Sequence, residues 1–235
     1  APDGRHTLLG DSRMLKAPAD IAALAERRRG LAVFGDAGIA VVRDGGSHLV
    51  VAAGFHNTTH KHADELSFEL SEAGRRVVTD TGMYHKDPGE IRDFVVSARA
   101  HNTLTVDGET FKVSSPGRTY GSGLLAVGDG DGWYAILGRN PLLGRQGVRH
   151  QRLFLYRPGE ALIVLDRAEG DAEHRFERHV HFAPAVRVRR AGRGAYELGA
   201  PGLQGRLRHR AGRVRAARGE RDPLAGFMAT DYREW

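Results

Sequence analysis

The sequence predicts a mainly β protein, a large antiparallel β-sandwich of the supersandwich type with a short N-terminal linker helix. More than ten short segments alternate apolar and polar residues, as half-buried strands do. Turn signals rich in Gly, Pro and Asp separate these segments. A chain of 235 residues without cysteine can bury a substantial core, and it must do so without disulfides. Many short strands with almost no helix favour a sandwich architecture.

The one helix that the pattern predicts covers 17–30. Pro18 suits its first turn, an apolar stripe follows, and Gly30 stops it. We therefore expect residues 1–30 to form a linker with a helix and residues 31–235 to form a single sandwich domain. The chain starts without a signal-peptide pattern, so we expect it to be a part of a longer protein.

Period-two alternation continues through the rest of the chain. The predicted strands are 37–43, 47–55, 66–70, 75–79, 102–106, 133–137, 149–156, 161–166, 175–182, 186–190 and 205–210. Residues 87–97 lack this alternation and predict a long loop with room for a short helical turn. Functional residues concentrate on such loops when a rigid scaffold holds them.

The charge distribution is strongly basic at one end of the chain. The formal net charge is +6, and seven arginines lie between Arg206 and Arg221. They indicate either an anionic partner, such as an acidic polysaccharide or nucleic acid, or a solvated strand face without a partner. No apolar run approaches the roughly eighteen residues that a membrane span needs, so no span is predicted.

Histidines and an aspartate recur in a spacing that suits a metal site. His60 and His62 are two positions apart, and on a strand they would project from the same face. The predicted hairpin then returns the chain to Asp80, and His101 follows. Zinc accepts imidazole nitrogen and carboxylate oxygen and commonly has three protein ligands plus water. Magnesium and calcium prefer more oxygen ligands. Single histidines are more often hydrogen-bonded core or surface residues, and that interpretation remains open beside the metal.

Three motifs carry a family resemblance. They are Thr-His-Lys-His-Ala-Asp-Glu-Leu-Ser-Phe-Glu at 59–69, Val-Thr-Asp-Thr-Gly-Met-Tyr at 78–84 and Arg-Ala-His-Asn-Thr-Leu-Thr-Val-Asp-Gly at 99–108. In this order they resemble the heparinase II/III-like polysaccharide lyases. The resemblance implies that the chain is the C-terminal β-sandwich of such an enzyme. It also implies an N-terminal α/α toroid as the partner domain, an acidic polysaccharide as substrate, and a periplasmic or extracellular location.

The same resemblance assigns roles to individual residues. It implies a structural zinc held by His62, Asp80 and His101, with His60 lining the catalytic groove. These lyases cleave uronic-acid polysaccharides by β-elimination, in which a base removes the C5 proton and an acid protonates the leaving O4. On this basis His60 and Tyr84 are the catalytic candidates. Arg99 is a candidate ligand for a substrate carboxylate, and an ion pair with a neighbouring aspartate is its alternative role.

Two other functions stay open at this point. One is a non-catalytic domain that binds acidic glycans through its arginines. Less favoured is a hydrolase in which zinc activates water. Nucleic acid is the less expected anionic partner, because the three motifs resemble a family that acts on polysaccharide.

Overall fold

A computed structural model of the chain describes residues 29–113 and 119–229. Most of the predicted linker helix at 17–30 lies outside these residues. The last predicted helical position, Gly30, instead begins a strand. The predicted boundary between linker and sandwich stays a prediction.

Eighteen strands make up about half of the described chain. In chain order they are β1 (Gly30–Phe34), β2 (Ile39–Asp44), β3 (Ser47–Ala52), β4 (Gly54–Phe55), β5 (Ser67–Glu72), β6 (Arg75–Val78), β7 (Leu104–Val106), β8 (Gly121–Ser122), β9 (Leu124–Gly130), β10 (Trp133–Asn140), β11 (Val148–Arg157), β12 (Ala161–Gly170), β13 (Phe176–Arg178), β14 (Arg187–Gly192), β15 (Ala195–Ala200), β16 (Leu203–Arg208), β17 (Glu220–Arg221) and β18 (Leu224–Ala225). The helices are α1 (Glu90–Val96) and two 3-10 helices, Ala98–Ala100 and Pro141–Gln146.

Two antiparallel sheets form the body of the fold. One has the strand order β1-β2-β3-β5-β6 and the other β12-β11-β10-β9. A three-stranded sheet, β14-β15-β16, and the pairs β13-β7, β4-β8 and β17-β18 complete the pairing of the described strands. Residues next to Phe182 extend the first sheet, since Val78 bridges to Phe182. The predicted antiparallel β architecture is confirmed.

The main core lies between the two large sheets. Buried apolar side chains from both sheets form one cluster: Ala40, Val42, Leu49, Val51, Phe68, Leu70, Val77, Val78, Ile136, Phe154 and Tyr156. The rings of Phe68 and Phe154 meet edge to face across the layers, with centroids 5.4 Å apart, a favourable aromatic geometry. The two layers are therefore a sandwich, and its core is aliphatic with an aromatic centre.

One row of side chains on β11 combines apolar and charged residues. Alternate positions from Val148 to Tyr156 are buried, and the fully buried Arg152 is among them. Arg152 faces Asp166 across the β11–β12 ladder, and its Nε and Nη2 donate to the two Asp166 carboxylate oxygens at 2.7 and 3.1 Å. His150 donates to the same carboxylate at 2.8 Å, and Arg178 on β13 donates at 2.6 Å. A buried charge needs such partners, because removing them leaves it desolvated and uncompensated.

These partners control the protonation of Asp166. Burial alone would raise the pKa of this carboxyl. The charge of Arg152, the hydrogen bonds from His150 and Arg152, and the charge of Arg178 outweigh burial and hold the pKa far below its ordinary value. Asp166 is therefore a carboxylate in the folded protein even in moderate acid.

Several elements differ from the sequence prediction. The strand predicted over 47–55 is divided at Ala53 into β3 and β4. The predicted loop at 87–97 contains a seven-residue helix, α1. The strands β1, β8, β9, β15, β17 and β18 were not predicted. None of the helices in the described part of the chain has the length and hydropathy of a membrane-spanning segment.

We expect Asp166 to make the free energy of unfolding depend on pH. The unfolded carboxyl takes up a proton near pH ~4, whereas the folded one does not. The stabilisation is therefore fully present at neutral pH and is lost as pH falls below about 4, by up to about 1.4 kcal/mol per pH unit. Urea unfolding across the acid range should show a shallower pH dependence for Asp166→Asn than for the wild type. Asp36→Asn, in an exposed turn, is the control, and equal slopes for all three proteins would contradict the assignment.

Candidate functional site

The His-Lys-His motif lies in a loop between β4 and β5, and not on a strand as the spacing predicted. The two side chains therefore do not share a sheet face. His60 is exposed and has a left-handed backbone with φ of 60°, whereas His62 is half-buried. A left-handed turn at a non-glycine residue costs free energy, and it separates the environments of the two imidazoles.

Asp80 and His101 form the central pair of the site. Asp80 follows β6, and His101 lies between the 3-10 helix Ala98–Ala100 and β7. The Nδ1 atom of His101 donates to Asp80 Oδ2 at 2.6 Å, and the His101 residue is only 1% exposed. The other Asp80 oxygen accepts the Gly82 N–H at 2.8 Å. This contact agrees with the prediction that the hairpin returns the chain and places Asp80 near the histidines.

His62 completes the group. Its ring centroid is 5.3 Å from that of His101, so the structure brings His62, Asp80 and His101 together. Arg92 on α1 donates to His62 Nε2 at 3.4 Å. Burial, followed by the charges of His101 and Arg92, lowers the pKa of His62 to about 4. His62 is therefore neutral at physiological pH, the form in which an imidazole can donate a lone pair.

The Asp80–His101 contact has the opposite effect on His101. Burial would lower the pKa of His101, but the charge of Asp80 and its hydrogen bond outweigh burial and raise the pKa. For Asp80, burial would raise the pKa, and the charge and hydrogen bond of His101 outweigh it and lower the pKa. The contact thus stabilises Asp80 as a carboxylate and His101 as an imidazolium.

The donor set of these three residues fits zinc in its chemistry. Two imidazoles and one carboxylate are ligands that zinc accepts, and the buried Nε2 of His101 has no hydrogen-bond partner. Asp80 instead contacts Nδ1 of His101, which is how a carboxylate orients a metal-binding histidine. Among the described residues, no group of three or more His, Cys, Asp or Glu side chains is arranged to hold a metal ion. Asp80 would have to turn away from His101 to become a third ligand.

Asn102 ties together the segments that carry these residues. This fully buried side chain donates through Nδ2 to the carbonyls of Phe68 and Thr79, at 2.8 and 2.9 Å. Its Oδ1 accepts the His181 N–H at 2.6 Å. One amide thus fixes β5, the residue before Asp80 and the strand segment at His181.

Arg152 reaches the same region from the second sheet. Its Nη1 donates to the carbonyls of Leu66 and Asn102, at 3.0 and 2.7 Å. The sequence interpretation missed this role, although a charged residue at an inward position of a strand is itself a signal. It also missed Arg92, which lies in the segment predicted as a loop.

A second cluster of charged groups lies beside the motif. Lys61 forms ion pairs with Asp64 and, at 3.0 Å, with the fully buried Glu65. Burial raises the pKa of Glu65 to about 7 even though Lys61 opposes this. The Lys61 ammonium also lies 5.7 Å from the centre of the Phe55 ring. This lysine therefore packs inward and stabilises the loop.

The remaining candidates lie around α1. Tyr84 packs against the apolar cluster that includes Phe94 and Leu224, and its ring is 4.7 Å from that of His85. The Arg99 guanidinium donates to the Leu224 carbonyl at 3.4 Å. Neither observation assigns a catalytic or substrate-binding role, so both roles stay predictions.

Three solved structures have a similar fold. The chain superposes on heparan sulfate lyase HepC from Pedobacter heparinus with a TM-score of 0.63 and 19% identity, covering 76% of this chain and 29% of that one. A heparinase III gives the same TM-score, identity and coverage. Another heparinase III structure gives a TM-score of 0.60 and 20% identity over 73% of this chain and 28% of that one. The chain thus spans less than a third of the length of these proteins.

The sequence gives the family directly. Among curated proteins, no sequence match to the chain was found. A family model, the C-terminal domain of heparinase II/III-like proteins, matches residues 26–232. This match includes all three motifs and the whole of both large sheets. The chain therefore belongs to the heparinase II/III-like C-terminal family.

Proposed function

We propose that the chain is the β-sandwich part of a polysaccharide lyase that cleaves uronic-acid polysaccharide by β-elimination. The observation that carries the proposal is the meeting of His62, Asp80 and His101, beside the exposed His60, in a chain of this family. The similar structures are those of a heparan sulfate lyase and of heparinase III. Both names denote enzymes that act on acidic polysaccharides. An N-terminal α/α toroid would supply the other wall of the groove. A polysaccharide substrate favours a periplasmic or extracellular location.

Elimination breaks the C5–H and C4–O4 bonds of the uronate ring. A base takes the C5 proton, the electron pair forms the C4–C5 double bond, and an acid protonates the leaving oxygen. Positive charge at the substrate carboxylate stabilises the enolate that develops. We assign the proton transfer or the carboxylate contact to His60, because its side chain is exposed and its left-handed turn is the kind of strain found at functional sites.

The other groups of the chain hold the groove wall. A zinc ion bound by His62, Asp80 and His101 would cross-link the loop before β5, the end of β6 and the segment before β7. Its contribution would be structural. Arg92 beside His62 and the guanidinium of Arg99 would supply positive charge for an acidic substrate. Tyr84 is the second candidate for proton transfer.

His60→Ala should lower kcat/KM for uronate polymers at least about 100-fold, because it removes a proton-transfer group. The assay uses the chain joined to its N-terminal domain and follows the ultraviolet absorbance of the unsaturated product. His56→Ala, an exposed histidine of the same loop, should change the rate less than about twofold. An unchanged rate for His60→Ala would remove this residue from the mechanism. Reducing ends without unsaturated product would favour the zinc hydrolase instead.

The purified chain should contain one zinc ion after dialysis. His62→Ala should lose stoichiometric zinc and His56→Ala should keep it, because only the first removes a ligand. Elemental analysis measures the metal content, and thermal unfolding with a chelator should show a lower Tm than without it. Wild-type protein that carries no stoichiometric zinc would refute the metal site.

Asn102→Ala should weaken zinc binding by more than its loss of folding stability explains. The matched control is Asn140→Ala, which removes another buried amide, one that accepts the Leu142 N–H at 3.0 Å. Both variants should lower Tm, since each leaves buried backbone groups unpaired. Only Asn102→Ala should weaken zinc binding, by about 10- to 100-fold, as loss of a supporting contact does.

The same two variants, Asn102→Ala and Asn140→Ala, can also be compared by NMR in the metal-free protein. In the chelator-treated protein, the hydrogen bond from His101 to Asp80 should give a low-field imidazole N–H resonance. Asn102→Ala should shift or broaden this resonance, and Asn140→Ala should leave it in place. Equal effects of the two variants on zinc binding and on the resonance would show that Asn102 only stabilises the fold.

A further inference from the structure

The three-stranded sheet has a charged face and an apolar face. Cross-strand pairing places Arg189 opposite Glu197, Glu197 opposite Arg206, and Arg208 opposite Ala195. Arg187 lies two residues before Arg189 and therefore on the same face. The four side chains Arg187, Arg189, Arg206 and Arg208, here called the basic face, thus point to one side of the sheet.

The opposite side of this sheet packs against the protein along β15 and β16, whereas Val188 and Arg190 of β14 are exposed on that side. Leu198 is buried in a cluster with Ala183 and Val186, and Leu207 packs against this cluster. Residues that pair across strands share a face, and Leu198 pairs with Val188 and Gly205, not with the arginines. The basic face must therefore be the outward side, and all four arginines are exposed.

Most of the positive charge on this face is not neutralised. Glu197 forms an ion pair with Arg189 and is the acidic side chain that the pairing places among the arginines. Within the described residues, Arg187, Arg206 and Arg208 form no ion pair. Like charges held this close repel one another, so an anionic ligand would relieve the repulsion.

The spacing of the arginines suits a linear ligand. Neighbouring strands are about 4.8 Å apart and alternate residues about 7 Å apart, so the arginines of β14 and β16 face each other across β15 at about 10 Å. A shallow cavity of about 380 Å³ on β15 and β16 is lined by Glu197, Gln204, Gly205 and Arg206. The amide of Gln204 can donate hydrogen bonds to sugar hydroxyls or accept them, and the carboxylate of Glu197 can accept them.

The chemistry of the face favours a polysaccharide over nucleic acid. Guanidinium groups bind the oxygens of carboxylate and of phosphate bidentately, so the arginines attract both kinds of polymer. Binding of single-stranded nucleic acid also relies on aromatic side chains on which bases stack. Tyr196 is the aromatic residue of this sheet, and its pairing with Leu207 and Arg190 places it on the other face.

The basic face lies apart from the candidate site. The turn between β15 and β16 approaches Arg75, since a Cβ built on Gly202 would lie 3.6 Å from Arg75 Nε. Arg75 begins β6, and Asp80 follows the other end of that strand. At about 3.4 Å per residue, Arg75 and Asp80 are roughly 17 Å apart. A glycan held on the basic face would have to span at least this distance to reach the site.

We propose that the basic face is a second, non-catalytic binding site for a linear acidic polysaccharide. It would retain the polymer while the candidate site acts on another part of it. This inference rests on the proposed substrate class but not on the elimination chemistry.

The test measures binding of a heparin oligosaccharide of defined length to the chain by calorimetry at low salt. Arg187→Glu with Arg206→Glu should raise Kd at least about tenfold, because it removes two guanidinium contacts and places two carboxylates where they repel an anionic polymer. The control is Arg149→Glu with Arg167→Glu, which makes the same charge change at exposed arginines of the four-stranded sheet. It should change Kd by less than about twofold.

Two results would overturn the proposal. Equal loss of affinity in both double variants would show attraction by net charge alone. Duplex or single-stranded DNA that binds the basic face as tightly as heparin would make it a nucleic-acid surface.

The candidate site is tested separately from this face. Formation of unsaturated product reports on the candidate site, whereas the dependence of heparin affinity on Arg187 and Arg206 reports on the basic face. If no unsaturated product ever forms but heparin affinity depends on Arg187 and Arg206, the lyase proposal fails and the basic face stands.

Discussion

The candidate site depends first on the buried guanidinium of Arg152. It is held in place by Asp166 on the neighbouring strand, and one of its nitrogens reaches the carbonyls of Leu66 and Asn102. These carbonyls belong to the two segments that carry the paired histidines. The cost of burying a charge is offset only when every donor has a partner. The arginine therefore specifies one relative position of the two sheets and the two loops.

Asn102 continues this connection on the side of the first sheet. Its amide satisfies carbonyls of Phe68 and Thr79 that would otherwise be buried without partners. A buried polar network that is fully satisfied is rigid, and one that is partly satisfied is costly. The histidines themselves lie outside regular strands, so the network and not the sheet ladder fixes their positions. Rigid strands holding functional loops are a common arrangement in β proteins.

The family assignment and the proposed activity rest on different observations. Residues 26–232 match the family model, and the sandwich agrees with the similar structures at identities near 20%, which supports the fold. The proposed elimination rests on the meeting of His62, Asp80 and His101 and on the exposure of His60. The basic face of the third sheet is a feature distinct from that site, and its proposed ligand follows from the proposed substrate class.

The sequence alone determined the sandwich class, most strand positions and the three motifs, because alternation and turn residues are local signals. Its spacing also pointed to His60, His62, Asp80 and His101, and the family resemblance selected the last three, which the structure brings together. Tertiary structure decided the rest. Because the backbone at His60 is left-handed, His60 and His62 do not share a face. No local sequence pattern predicts that conformation. The partners of Arg152 lie 14 to 86 residues away, so only packing of the two sheets could show what its charge does.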